Sequence, residues 1–311
     1  MPCITLARHA MATRFEVALH GDDPVHLRAA GEQALDEIER LENRLSLYRP
    51  QSELADVNRR AAREAVKITP SLFELLEHSR RLSGETGGAF DITIAPLVEC
   101  WGFMQGSGQL PDPRNLSDAR SLVGMHLLEL DKAHSTVRFR RQGVMLDLGA
   151  IGKGYAVQQA SELLREAGVS SALLHGGTSS VYAIGHPPEA DAWLVAIENH
   201  ADPKLPPVAA IPLRDGSLSV SAVWGKSFSA GGKNYGHVID PRTGEPTSVA
   251  LLAAVVLPSA TEADALSTAL LTLGRAGIDT ICRVRPEARV LVLFEKEGRL
   301  CHEARGLKVS D

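Results

Sequence analysis

With 311 residues, 44% of them hydrophobic and 23% charged, the chain is long and apolar enough to bury a sizeable core, which excludes a disordered tail or a coiled coil. A net charge of −5 and an aromatic content of 5% leave neither the basic footprint nor the stacking platforms that nucleic acid requires. No segment reaches the roughly 20 apolar residues of a membrane span, and Cys3, Cys100, Cys282 and Cys301 lie too far apart for a zinc cage, so the expectation is a reduced, soluble, intracellular protein without membrane insertion.

Along the chain, residues 2–11 hold no apolar run of signal-peptide length. Alternation from Thr13 to His20 predicts a half-buried strand ending at Gly21. Leu27, Ala34, Leu35, Ile38, Leu41 and Leu45 then recur at helical spacing. Thr69-Pro70 starts a second helix, with proline where a missing N–H costs nothing, and Gly84, Gly87 and Gly88 stop it. Residues 104–120, rich in Gly, Pro, Ser and Asp, read as a loop or weak boundary. A strand near 144–148 feeds a glycine-rich turn and a helix over 155–167, ended by Gly168.

Apolar runs at 172–174, 181–184 and 193–197 suggest adjoining strands, and the proline-rich stretch 202–207 reads as a surface loop. A strand (251–257), a helix (262–273) and a strand (290–294) with a turn at Lys296-Glu297-Gly298 follow. There is no internal repeat. The mixture of helices and strands gives an α+β (mixed α/β) class.

Four constellations carry chemistry. In Asp147-Leu148-Gly149-Ala150-Ile151-Gly152-Lys153-Gly154-Tyr155 a strand enters a helix through three glycines. Such a turn lets backbone approach a ligand, and helix N-terminal N–H groups favour an anion. Its spacing is neither a Walker loop nor a dinucleotide fingerprint, and a plain tight turn accounts for it equally well. Asp264 and Thr268 lie four apart on one helix face, offering two hard oxygens that suit Mg²⁺ rather than zinc. The competing reading makes Thr261 an N-cap, with Asp264 in a capping-box position and Thr268 bonded to its own helix.

His237 sits in Tyr235-Gly236-His237-Val238-Ile239-Asp240-Pro241-Arg242-Thr243-Gly244, before a turn that Asp240 and Pro241 explain structurally. A histidine there can act as a general base near neutral pH. Finally, Phe90-Asp91 between glycines and Pro96 offers an aromatic face and a carboxylate to a planar ligand, or a buried Phe beside a turn-forming Asp.

The order of these motifs resembles the ApbE family of FAD:protein FMN transferases from about Met11 to Gly274. The landmarks are Met11-Ala12-Thr13, the segment from Ser46 through Tyr48 and Ser52 to Asn58, Gly88-Ala89-Phe90-Asp91 with Thr93 and Pro96, the Asp147–Tyr155 motif, Gly176-Gly177, the His237 motif, and Ala263-Asp264 with Thr268. The resemblance implies an ApbE-like, T-fold-like architecture over residues 1–311, a single domain with lobes near 1–120 and 121–311 and the flavin site in the cleft between them.

It further implies Mg²⁺-dependent transfer of FMN from FAD to a Thr or Ser hydroxyl of an acceptor flavoprotein, releasing AMP. Asp264, Thr268 and a backbone carbonyl at Gly152 would hold the metal. Met11, Tyr48, Ala89, Phe90, Asp91, Lys153 and His237 would contact FAD, and His237 would be the base. Alternatives that share the site are an Mg²⁺-dependent FAD pyrophosphatase yielding FMN and AMP, and a flavin-binding protein without turnover.

Members usually carry Met-Gly-Thr, Gly-Gly-Asp or Gly-Gly-Asn, Thr-Ser-Gly and a helix aspartate where this chain has Ala12, Thr178, Val220-Ser221-Ala222 and Gln158. These departures are expected to bear on the flavin pocket and acceptor recognition. Many members are exported lipoproteins; Cys3 lacks the preceding segment of a lipobox, which gives a cytoplasmic expectation.

Overall fold

Phe15, Val17 and Leu19, alternate residues of the first predicted strand, are completely buried, and that strand spans Thr13–His20 as β2. A computed structural model of the chain describes residues 3–104, 106, 108–198 and 206–309. In it β2 pairs with a strand that alternation did not reveal, β1 (Cys3–Ala10). The turn between them consists of Met11 and Ala12, both at positive φ (49° and 58°). A two-residue hairpin loop needs that backbone to match the strands' twist, and glycine meets it without the strain that Ala12 bears.

The helix α1 (Pro24–Leu45) starts at Asp23, whose side chain accepts from the Val25 and His26 N–H groups, and its predicted apolar stripe is buried. There follow α2 (Glu53–Arg60), β3 (Val66–Lys67), α3 (Pro70–Glu85), α4 (Ala95–Cys100) and α5 (Pro113–Arg120). The last corrects the loop reading of 104–120: Asp112-Pro113 starts a helix on the same logic as Thr69-Pro70, with the Asp112 carboxylate accepting from Arg114 N. β4 (Leu128–Asp131) and β5 (Thr136–Phe139) complete a small sheet of order β3-β5-β4.

Residues 144–148, predicted as a strand, join no ladder. Their backbone is paired differently. Asn58 Nδ2 donates to the Leu146 carbonyl (3.0 Å), Leu146 N donates to Asn58 Oδ1 (2.8 Å), and Asp147 N donates to the Ile92 carbonyl (2.8 Å). A side-chain amide thus replaces a neighbouring strand, something no periodicity reports.

The second half contributes α6 (Gly152–Glu166), β6 (Ala172–Gly176), β7 (Ser180–Ile184), β8 (Trp193–Ile197), β9 (Ala209–Leu213), β10 (Gly216–Ala222), β11 (Ser227–Ala230), β12 (Lys233–Gly236), β13 (Leu252–Leu257), α7 (Ala260–Leu273), α8 (Gly277–Val284), β14 (Arg289–Lys296) and β15 (Arg299–Arg305). The main sheet has the order β1-β2-β6-β7-β10-β13-β14-β15, with every neighbouring pair antiparallel. The run at 193–197 belongs instead to the separate β8–β9 hairpin. Residues 202–205 of the expected proline-rich loop lie outside the described residues.

Both faces of the sheet are covered. Every residue of β13 is buried: Ala253, Val255 and Leu257 join the core beneath α1, α6 and α7, while Leu252, Ala254 and Val256 join a second core beneath β8–β9. An all-apolar strand is what a position buried on both faces demands. On β10 the pattern differs. Leu218 enters the second core, whereas Ser219 and Ser221 on the opposite side meet α7.

Candidate active site

A cavity of about 610 Å³ opens where the first turn of α6, one face of α7, the end of β10, the loop after it and residues 89–98 converge. Of the side chains singled out in the sequence, Tyr48, Lys153, His237, Asp264 and Thr268 line it, as do Ala89, Phe90 and Asp91. Met11 and Gly152 are not among its lining residues. Met11 packs against the main core from the β1–β2 turn.

The Asp264–Thr268 pair is assembled by α7. Ser259, not Thr261, caps this helix, its side chain accepting from Glu262 N, so Asp264 has no capping role. Asp264 as a residue is only 3% exposed yet lines the cavity. Gly154 N donates to its Oδ2 (2.8 Å) and Ser219 Oγ to its Oδ1 (3.3 Å). Thr268 Oγ1 donates to the Asp264 carbonyl (3.3 Å) and lies 3.1 Å from Ser221 Oγ. The donors are therefore all oxygen. Among the described residues no group of three His, Cys, Asp or Glu side chains is placed to hold a metal, so a cation here would need oxygens from a substrate to complete its shell. That suits Mg²⁺, which keeps few protein ligands and shares substrate phosphates.

The glycine-rich turn serves this pair more than it cradles a free anion. Gly152 N donates to the Leu148 carbonyl (2.6 Å) and Gly154 N to Asp264, so the α6 N-terminus already faces a carboxylate of the protein itself. A Cβ at position 154 would overlap the Ala260 carbonyl oxygen and lie 2.5 Å from Asp264 Cβ, which explains why glycine stands where α6 meets α7. Gly149 and Ala150 line the cavity, and Lys153 Nζ donates to the Gly149 carbonyl (3.4 Å). Asp147, absent from the sequence-derived set, lines it too. Burial pushes its carboxyl up, against the Gly149 N–H (2.7 Å) and the charge of Lys153, which pull it down.

His237 follows the β11–β12 hairpin. Its Nδ1 lies 3.2 Å from the Lys226 carbonyl oxygen, which can only accept, so Nδ1 carries the proton and Nε2 is left as an acceptor. Burial holds the imidazole below its ordinary value, and the charges of Lys153 and Lys226 act the same way, partly countered by the Lys226 carbonyl. The hairpin is anchored by Phe228 and Tyr235, stacked at 5.2 Å and packed on Trp101, whose Nε1 donates to the Gly244 carbonyl (2.8 Å). Asp240 has the expected turn role: it binds the Arg242 backbone N–H and guanidinium.

Asp91 lines the cavity, but its own fold uses its oxygens. Oδ1 accepts from Thr93 N (2.8 Å) and Oγ1 (2.6 Å), and Oδ2 from Met125 N (3.1 Å) and Ser83 Oγ (3.4 Å). Burial raises its carboxyl and these bonds lower it. Phe90 and Ala89 are 1% exposed, whereas Tyr48 is 63% exposed at the cavity mouth. One of the departures, Gln158, and the serine kept within the Val220–Ala222 segment also acquire positions. Gln158 Oε1 accepts from Ala260 N (2.9 Å), satisfying the start of α7, and Ser221 touches both Ser267 and Thr268.

The family model for the ApbE family matches residues 11–292. The chain belongs to the ApbE family. Among ApbE relatives, the FAD:protein FMN transferase of Klebsiella pneumoniae is 29% identical, over 93% of this chain and 83% of its own length. That of Haemophilus influenzae is 30% identical over 87% and 81%. The apo crystal structure of Pseudomonas stutzeri flavinyl transferase ApbE superposes with a TM-score of 0.86 at 26% identity, covering 98% of this chain and 95% of the other. The α+β architecture is thus the ApbE fold.

Proposed function

We propose that this chain is a FAD:protein FMN transferase that moves FMN from FAD to a Thr or Ser hydroxyl of an acceptor flavoprotein, with Mg²⁺ as cofactor and AMP as product. The observation that carries the reading is convergence: Lys153, His237, Asp264 and Thr268, distant in sequence, line one cavity in a chain that matches FAD:protein FMN transferases over most of its length. The cavity volume of about 610 Å³ lies in the ordinary range for small-molecule and cofactor sites. The two lobes of the sequence reading belong to this proposal, with FAD in the cleft between them.

The reaction asks three things of the protein. The acceptor hydroxyl must lose its proton as its oxygen attacks the FMN-side phosphorus, and the free Nε2 of His237 takes that proton. The phosphoanhydride bond breaks and AMP leaves as an anion, in a cavity that Lys153 and Lys226 help to line. The flavin end is met by Tyr48, Phe90 and neighbouring apolar residues, with Met11 and Asp91 acting from the supporting structure. Asp264 and Thr268, with the backbone carbonyl of Gly152, would hold Mg²⁺, which when bound neutralises charge developing on the phosphates.

Incubation with FAD, Mg²⁺ and a candidate acceptor tests this. The expected result is AMP in amount equal to an acceptor mass gain of one FMN less water. AMP without acceptor labelling would make the chain an FAD pyrophosphatase, and no AMP would leave a flavin-binding protein.

A further inference from the structure

The hydroxyls of β10 form a hydrogen-bonded row behind the Asp264–Thr268 pair. Ser219 Oγ, 1% exposed as a residue, reaches Asp264 Oδ1 at 3.3 Å and the Ser179 carbonyl at 3.1 Å. Ser267 Oγ lies 3.3 Å from Ser219 Oγ, donates to the Asp264 carbonyl at 2.9 Å, and meets Ser221 Oγ at 2.8 Å. Ser221 Oγ in turn touches Thr268 Oγ1 at 3.1 Å. A strand in the middle of a sheet, facing a helix, ordinarily presents apolar residues there, as β13 does beside it with Ala253, Val255 and Leu257. Burying hydroxyls at such positions costs free energy unless each is paired, and here each is paired with another member of the row or with α7.

We infer that Ser219 and Ser221 are positioning residues for the cation site, fixing the Asp264 carboxylate and the Thr268 hydroxyl from behind. The inference rests on the cation reading of that pair. Asp264 is gripped on both oxygens, by Gly154 N–H and by Ser219, so its side chain cannot rotate away from the cavity without breaking two hydrogen bonds. Thr268 Oγ1 lies within hydrogen-bond reach of both the Asp264 carbonyl and Ser221 Oγ, so whichever hydroxyl donates in the second contact, Ser221 restrains the direction of its oxygen. Each serine hydroxyl also has a single proton and more than one acceptor in reach, which couples the row along its length. The Ser221 position falls within Val220-Ser221-Ala222, where members usually carry Thr-Ser-Gly; the serine is the position this chain keeps.

Mn²⁺ serves as the probe, titrated by electron paramagnetic resonance into the purified protein with saturating FAD, since hydrogen-bonding partners of ligating groups typically tune metal affinity by about 10- to 100-fold. Ser219→Ala is expected to weaken Mn²⁺ binding by about tenfold or more while FAD affinity measured without metal stays within about twofold. A merely structural role would lower the melting temperature and leave Mn²⁺ affinity unchanged, and that result would overturn the proposal. Ser221→Ala, on the cavity wall, provides the same comparison should Ser219→Ala fail to fold. Asp264→Ala separates the levels. Loss of Mn²⁺ binding there with wild-type affinity in both serine variants sinks the positioning role alone, whereas unchanged binding in Asp264→Ala sinks the cation reading itself.

Discussion

At His237 the chemistry turns on which ring nitrogen is free. Because Nδ1 faces the Lys226 carbonyl, the neutral ring presents Nε2 as a base, and burial beside two lysines keeps it neutral to lower pH than an ordinary imidazole. The active form is the unprotonated one, so the rate is expected to stay level as pH falls past about 6.5 and to drop only at lower pH. A pH profile of kcat/KM checks this; an inflection above the ordinary imidazole value would contradict it. His237→Asn should lower kcat by about 10²- to 10⁴-fold with FAD affinity nearly intact, whereas parallel loss of binding and rate would make the histidine structural. The proposed base was visible in the sequence as a histidine before an Asp-Pro turn. Its tautomer was not, because that depends on a carbonyl eleven residues away across a hairpin.

Among the elements, the crossing of α6 and α7 matters most, because it brings the glycine-rich turn to Asp264. Gly154→Ala places a methyl against the Ala260 carbonyl and the Asp264 Cβ. We expect a destabilisation of about 1–3 kcal/mol, the usual scale of overpacking, seen as a lower urea midpoint at unchanged m-value. A variant as stable as wild type would mean that the helices separate freely.

Nearby, Glu262 ties α7 to α3 and to the end of α8, accepting from His78 (2.9 Å), Arg81 (2.8 Å) and Arg285 (2.5 and 2.8 Å). Burial alone would raise its carboxyl, but Arg285 and His78 outweigh that and hold it at about 2 against an ordinary 4.5. A depressed carboxyl contributes stability that is fully present above its unfolded value, so about 2–3 kcal/mol should be lost as pH falls from about 4.5 toward about 2. Urea unfolding of wild type and Glu262→Gln across that window reads it: the two stabilities should converge at low pH, and a constant gap between them would contradict the linkage.

For the whole molecule, the sequence disclosed what lies in local periodicity or in motif order. The α1 stripe, the all-apolar β13 and the order of the ApbE landmarks are of that kind. It concealed what depends on partners remote in the chain. β1 is an edge strand whose alternation is broken by Ala7 on its exposed side and Arg8 on its half-buried side, and α5 hides among residues that favour loops. The segment at 144–148 looked like a strand because Val144, Leu146 and Leu148 alternate, and all three are buried, yet Asn58 rather than a neighbouring strand pairs the Leu146 backbone.

The same division holds in the site. Asp264, Thr268, Lys153 and His237 were legible as residue types, while the grip of Gly154 and Ser219 on Asp264 required the packed sheet and helices. Central to the proposed function is a divalent cation that would join the α7 pair to the diphosphate of FAD. Calorimetric titration of FAD into wild type and Asp264→Ala, each with and without Mg²⁺, tests that join directly. Magnesium should tighten FAD binding to wild type and leave the variant unaffected; an FAD affinity that ignores magnesium in both proteins, or no heat at all, would contradict it.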